Sequence, residues 1–203
     1  MKTENKNKWD ILYDPEKKTW FAKLEEFAIN KYFAHAFEKV ILSVSNVQKG
    51  KIFEPGCGSG MTCAAFARQG HEVTLMDLSS NALNKALTVF DEFSLPCKFT
   101  IGDLFHIPIK SGQFDLVFNQ GVMEHFKIAG LDPSAGINEM LRVLKKDGTL
   151  VILVPAYLSP LYCVYQLFKF FKLIDKYWPY EDQERSEEHT SELQSHHDLV
   201  CRL

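Results

Sequence analysis

Three acidic side chains in the sequence follow apolar runs, and the first of them stands directly before a glycine-rich turn. Glu54 precedes Gly56, Gly58 and Gly60, which occupy every second position. Glycine permits positive φ and lets a ligand approach the backbone closely, above all where the turn opens a helix. A pyrophosphate would be bound there by amides and the helix N-terminus, whereas a carboxylate suits a cationic group. The stretch 51–60 therefore predicts a binding site for a ligand that carries a positive charge.

The other two acids, Asp77 and Asp103, end the second and third apolar runs. A carboxylate at Asp77 can accept hydrogen bonds from the two vicinal hydroxyls of a ribose. Nicotinamide-dependent enzymes share this signal, and the alternative task for Asp77 is to cap the turn that follows. The dinucleotide fingerprint, however, requires its third glycine at position 61, which is Met61. A nicotinamide-dependent oxidoreductase is therefore the less favoured of the two enzyme classes.

Strand and helix patterns alternate along the segment that carries these acids. Units of this length are typical of a doubly wound, mainly parallel α/β sheet with helices on both faces. In such a sheet a ligand binds at the carboxyl ends of the strands, where the strand order reverses. After the first strand and its glycine turn, the sequence predicts a helix at 61–69, a strand at 72–76, a helix from Ser79 or Ser80 to before Pro96, strands at 98–101 and 114–119, a helix at 134–144, a turn at 145–148 and a strand at 149–154.

The order of acid, glycine loop and strand-end acids resembles the class I S-adenosylmethionine-dependent methyltransferases, in particular the small-molecule, type 11-like domains. The resemblance covers about 52–155 and implies a Rossmann-like fold with S-adenosylmethionine as cofactor. It implies that Glu54 faces the ammonium group, that Asp77 binds the ribose and that Asp103 accepts a bond from the adenine amino group. The remaining positions implied for the cofactor are Gly56, Gly58, Gly60, Leu78, Leu104, Asn119 and Gln120.

The sequence identifies fewer residues for the catalytic step than for the cofactor. In such enzymes the sulfonium is already activated, and the protein mainly aligns an acceptor and excludes water. His125 follows the fourth strand, and an imidazole there can take a proton from an acceptor hydroxyl near neutral pH. The alternative is that the pair Glu124-His125 only steadies its loop. Asp115 is expected at the entry of the fourth strand and outside the site.

The two flanks of this domain carry separate expectations. Residues 1–48 predict an N-terminal helical cap, either packed on the sheet edge or closing over the cofactor as a lid. The pattern at 161–180 predicts an amphipathic helix, which would cover an acceptor site, as the resemblance implies, or lie transiently on a membrane surface. Residues 185–203 resemble the translation of a common short-read sequencing adapter. We expect this tail to be non-native and outside the fold, which leaves a methyltransferase domain at 49–184 that lacks its last two strands.

Composition limits the partners and the compartment. A net charge of −3 gives no reason to expect nucleic acid, and the five cysteines show neither metal-ligand spacing nor a disulfide framework. No signal peptide or membrane-spanning stretch is apparent, so a cytoplasmic location is expected. The prediction is transfer of a methyl group to a small-molecule or lipid-like acceptor, without a metal. The alternatives are the nicotinamide-dependent oxidoreductase and a truncated protein that binds the cofactor without turnover.

Overall fold

The alternating pattern of the sequence appears as alternating strands and helices in the computed structural model. The structure describes residues 10, 34–45, 47–123, 125–126, 132–154 and 200–202. Of residues 200–202 it describes the backbone alone, and the predicted segment 161–180 lies outside the described residues. The elements are α1 (Ala34–Ser45), β1 (Lys51–Pro55), α2 (Met61–Arg68), β2 (Glu72–Asp77), α3 (Ser80–Glu92), β3 (Lys98–Ile101), β4 (Phe114–Gln120), α4 (Pro133–Val143), β5 (Leu144–Leu153) and β6 (Val200–Arg202).

The strands form one sheet in the order β3-β2-β1-β4-β5-β6, and the first five are parallel. This confirms the predicted doubly wound α/β architecture. The chain moves outward from β1 to β3 and then returns to place β4 on the other side of β1. Ile52 of β1 pairs with Val73 on one side and with Leu116 on the other. The reversal of strand order therefore lies between β1 and β4, which is where such sheets bind ligands.

Two apolar cores cover the two faces of the sheet, because successive strand residues point to opposite sides. Ile52 and Phe118 belong to the core that also holds residues of α1, α2 and α3. Phe53 belongs to the opposite core with Met140 of α4. All four side chains are fully buried, and burial of each contributes about 1.5–3 kcal/mol. These cores hold the strand ends, and so the glycine turn and the strand-end acids, at defined positions.

The predicted turn at 145–148 is instead a bulged part of β5. Phe114 pairs with Leu144 and Leu116 with Thr149, so the extra residues of β5 arch out of the ladder. Asp115 stabilises this arrangement at the strand entry, where the sequence places it. Its carboxylate accepts a bond from the Lys51 amide at 2.8 Å and lies 2.7 Å from the Lys145 ammonium.

Three residues of the tail that we expect to be non-native lie at the edge beyond β5, and the expectation for 185–203 stays a prediction. Val200–Arg202 pair antiparallel with β5, opposite Thr149, Leu150 and Val151. The outer edge of β5 presents unpaired amide and carbonyl groups, and an extended segment within reach can satisfy them. The remainder of 185–203 lies outside the described residues, as does most of the expected cap at 1–48.

Candidate functional site

The glycine turn after β1 has the backbone conformation that its composition predicts. Gly56, Gly58 and Gly60 have φ values of +73°, +52° and +66°, which L-residues rarely adopt. Space is also restricted at two of them. A Cβ at Gly56 would lie 2.6 Å from Val122, and one at Gly60 would lie 2.5 Å from Leu75. The turn therefore needs glycine for both conformation and packing as it leads into α2.

Asp77 links this turn to the next strand–helix junction. Its two carboxylate oxygens accept bonds from the Gly58 and Ser79 amides, each at 2.9 Å. Desolvation by burial raises the pKa of Asp77, although these hydrogen bonds act in the opposite direction. The Leu78 amide also hydrogen-bonds to this carboxylate, whose two oxygens keep acceptor capacity beyond the backbone bonds. Both tasks considered for Asp77 are thus compatible: it caps the turn and its carboxylate is fixed beside the glycine loop, with half-buried Leu78 directly after it.

Glu54 lies buried at the end of β1, beneath the glycine loop, and only 4% of the residue is exposed. Cys63 of α2 hydrogen-bonds to the carboxyl through its thiol and its amide, whereas Oε2 has no hydrogen-bond partner among the described residues. Desolvation raises the pKa of Glu54 from 4.5 to about 8, with a smaller contribution from Asp77 in the same direction. A buried acid with an unpartnered oxygen provides a place for a cationic group.

The end of β4 carries the two amides that the sequence assigns to the cofactor. Asn119 is fully buried, and its Nδ2 donates to the Pro55 carbonyl at 2.6 Å, while its Oδ1 has no hydrogen-bond partner among the described residues. Gln120 is more exposed, and its Oε1 accepts a bond from the Thr62 hydroxyl at 3.4 Å. Asn119 therefore fastens β4 to β1 at the reversal point, and a contact of either amide with the cofactor stays a prediction.

The loop after β3 carries Asp103 and Leu104. The Asp103 carboxylate accepts a bond from the Phe105 amide at 3.0 Å, which gives this loop a tight turn. The side chain of Leu104 is buried in the core on the α4 face of the sheet. The hydrogen bond inside the loop and the buried Leu104 side chain thus fix its position. The adenine contacts of Asp103 and Leu104 remain predictions.

Two residues of α4 that the sequence analysis did not identify hold the continuation of this loop. Arg142 donates to the Ile107 and Ile109 carbonyls at 2.9 and 2.8 Å, and Glu139 accepts from the Ile107 amide at 2.8 Å. The Arg142 guanidinium, which also hydrogen-bonds to Glu139, lowers the pKa of that carboxyl. The three-residue spacing of Glu139 and Arg142 is typical of an ion pair on one helix. Nothing in the sequence, however, indicates that this pair binds the loop after β3.

His125 follows the end of β4 and is half-buried. Its amide donates to the Val122 carbonyl at 3.1 Å, and the Phe126 amide donates to the Met123 carbonyl, so the segment forms a helical turn. The buried side chains of Met123 and Phe126 anchor the turn to the core. The structure therefore places His125 past the carboxyl end of β4, whereas Glu124 lies outside the described residues.

Asp10, a residue of the expected N-terminal cap, lies beside this site. Asp10 accepts a bond from the Ser79 hydroxyl at 2.6 Å, and its carbonyl accepts one from Asn81 at 2.8 Å. The Asp10 charge also contributes to the raised pKa of Asp77. The contact joins residues about 70 positions apart in the sequence, so no local pattern could predict it.

The side chains at the strand ends fit a nucleoside ligand that carries an ammonium group. The ends of β1, β2 and β3 supply Glu54, Asp77 and Asp103 in spatial order. Carboxylates accept bonds from ammonium, hydroxyl and amino donors, so the set can serve one ligand that has all three. Among the described residues there is no cluster of side chains suited to hold a metal ion.

Known proteins identify the domain. The family model described as "Methyltransferase domain" matches residues 53–152. The uncharacterized methyltransferase YodH of Bacillus subtilis is 28% identical over 127 residues, which cover 62% of this chain and 52% of YodH. The ubiquinone biosynthesis O-methyltransferase of Psychrobacter arcticus is 30% identical over 108 residues, which cover 50% of this chain and 39% of that enzyme. The chain therefore spans about half the length, or less, of these relatives.

Solved structures agree on the fold. A Methanococcus maripaludis protein assigned as an S-adenosyl-L-methionine-dependent methyltransferase superimposes with a TM-score of 0.62 at 19% identity, over 88% of this chain and 84% of that protein. The family match decides against the nicotinamide-dependent class that the glycine turn and Asp77 alone left open. The domain that holds the glycine turn and the three strand-end acids belongs to the class I S-adenosylmethionine-dependent methyltransferases.

Proposed function

We propose that the protein transfers a methyl group from S-adenosylmethionine to a small-molecule or lipid-like acceptor. The observation that carries the proposal is the buried Glu54 carboxyl beneath the glycine turn, whose Oε2 has no hydrogen-bond partner among the described residues, with Asp77 at the neighbouring strand end. Together they provide for a cationic group and a diol at the point where the strand order reverses.

The cofactor, when bound, supplies an electrophilic methyl group on a sulfonium. Glu54 then neutralises the ammonium group, Asp77 accepts bonds from the ribose hydroxyls, and Asp103 accepts one from the adenine amino group. The Arg142–Glu139 pair acts indirectly, because it holds the loop that carries Asp103. Such positioning can account for much of the rate enhancement of a methyl transfer. The bound reactants are already aligned, so their translational and rotational freedom is lost on binding and not in the chemical step.

His125 is the residue that we propose as general base. It follows β4, adjacent to β1 in the sheet, and a half-buried imidazole can exchange protons near neutral pH. In this role it accepts the proton of an acceptor hydroxyl as the oxygen is methylated. General bases of this kind contribute about 10²–10⁴-fold to rates.

The proposed acceptor class follows from one relative and from the charge of the chain. The relative from Psychrobacter arcticus is named for O-methylation in ubiquinone biosynthesis, which concerns a small, lipid-like molecule. The net charge of −3 does not favour nucleic acid as the acceptor.

Cys57, Cys63 and Cys97 are free thiols, which fits the reducing cytoplasm. None of the helices described is long and apolar enough to span a bilayer.

Titration calorimetry with S-adenosylhomocysteine and with NADH tests the cofactor assignment. We expect S-adenosylhomocysteine to bind and NADH not to bind, because the site offers acids in place of a pyrophosphate cradle. Asp77→Asn should weaken this binding, whereas Asp91→Asn, at an exposed position of α3, should leave it unchanged. Tighter binding of NADH, or equal effects of the two substitutions, would contradict the proposal.

A further inference from the structure

Every titratable group that acts on Glu54 in the described part of the chain is itself an acid. Cys63 of α2 hydrogen-bonds to it, Asp77 of β2 adds negative charge, and Cys57 of the glycine turn interacts with it electrostatically. Burial raises the pKa of both thiols, so they stay protonated and add no charge near neutral pH. Among the residues that the structure describes, Glu54 thus has a thiol and an amide as donors and no basic side chain as counter-ion.

The glycine turn offers Glu54 no counter-charge either. The Gly56 and Cys57 amides both donate to the Met76 carbonyl, at 2.7 and 3.0 Å. The Gly58 amide donates to Asp77 and the Gly60 amide donates within the turn. Because these donors already have partners, ionisation of Glu54 would leave a buried negative charge with little compensation. Such a group remains protonated until a cation arrives.

We propose that the cofactor and its product bind with release of one proton from Glu54, so that the empty protein holds the neutral acid and the occupied protein the carboxylate. The inference rests on the function proposed above. The O–H bond of the carboxyl breaks, the proton passes to solvent, and the ligand ammonium keeps all its protons. The site thereby exchanges a proton for a cation, and its charge stays nearly constant.

This exchange makes affinity depend on pH in a defined direction. The pKa of Glu54 near 8 in the empty protein means that binding at pH 7 must displace about 0.9 proton. Affinity for an ammonium-bearing ligand should rise about tenfold per pH unit between pH 6 and 7 and level off above pH 8. A nucleoside without the ammonium group should show no such rise, because it gives Glu54 no reason to ionise.

Calorimetry at pH 7 in buffers of different ionisation enthalpy measures the protons released on binding. S-adenosylhomocysteine should release about 0.9 proton from the unmodified protein. 5′-Methylthioadenosine, which shares the nucleoside and thioether but lacks the ammonium, should release fewer than about 0.2. The pair of ligands therefore isolates the contribution of the ammonium group.

Glu54→Gln should bind 5′-methylthioadenosine normally, which shows that its site is folded, and should release no proton with S-adenosylhomocysteine. Asp77→Asn should weaken both ligands and keep most of the proton release, because desolvation contributes more than Asp77 to the raised pKa of Glu54. Release that persists in Glu54→Gln, or that disappears in Asp77→Asn, would overturn the assignment to Glu54. Binding of S-adenosylhomocysteine without proton release refutes the inference alone, whereas failure of both ligands to bind refutes the proposed function.

Discussion

Replacement of Glu54 by glutamine should stabilise the empty protein, and the gain should grow with pH. Glutamine has nearly the shape of the protonated acid, so it keeps the packing beneath the glycine turn and removes the titration. The neutral amide also avoids the cost of a buried charge, since only Cys63 donates to this carboxyl in the described structure.

The size of the effect follows from the pKa of Glu54. In the unfolded chain the carboxyl titrates near 4.5, and in the folded protein near 8. Between these values the folded state binds the extra proton, so the free energy of unfolding falls as pH rises. The slope is about 1.4 kcal/mol per pH unit, which amounts to about 3 kcal/mol between pH 5 and 7 and on the order of 5 kcal/mol over the whole window.

Urea unfolding of both proteins at pH 5, 6, 7 and 8, without ligand, measures the difference directly. Glu54→Gln should gain on the unmodified protein by about 1.0–1.4 kcal/mol at each step, least between pH 7 and 8, where the folded-state pKa is reached. Glu92→Gln replaces an exposed carboxyl of α3 and should change stability by less than about 0.5 kcal/mol at every pH. Parallel pH profiles for Glu54→Gln and the unmodified protein would show that Glu54 is not held as a neutral acid.

Three other substitutions and one truncation test the remaining assignments. Asp77→Ala should cost on the order of 1–3 kcal/mol of affinity for S-adenosylhomocysteine and Asp103→Ala less, because Asp103 would accept one bond from a neutral amino group; unchanged calorimetric affinity in both would place the ligand elsewhere. His125→Gln should lower turnover by about 10²-fold or more with little change in cofactor affinity, and an equal loss of both would favour a structural role for the imidazole. A chain that ends at Glu184 should lose less than about 0.5 kcal/mol of stability on urea unfolding, because only three residues of 185–203 pair with the sheet in the described structure; a larger loss would show that 185–203 belongs to the fold.

Local sequence patterns were sufficient to predict the sheet and the positions of the strand-end acids. Alternation of apolar runs with amphipathic helices predicted the order of elements from β1 to β5. Glycines at 56, 58 and 60 predicted a turn with positive φ, because only glycine adopts that conformation without strain. Strand ends are marked by adjacent residues, and parallel strands share the edge at which they end. The positions of Glu54, Asp77 and Asp103 therefore followed from the sequence.

Long-range packing decided what these acids touch, and the sequence contains no local sign of it. The Cys63 partner of Glu54, the Asp10 contact with Ser79 and the hold of Arg142 on the Ile107 carbonyl join elements that meet only after the helices cover the sheet.

The charge state of Glu54 is also decided by the tertiary structure. It depends on desolvation by burial and on loop amides that already have partners, and these are properties of the assembled core. The sequence by itself determined which chemical groups stand at the carboxyl ends of the strands. The tertiary structure decided how deeply each is buried and whether it has a counter-charge, because burial and pairing are set by residues far apart in the chain.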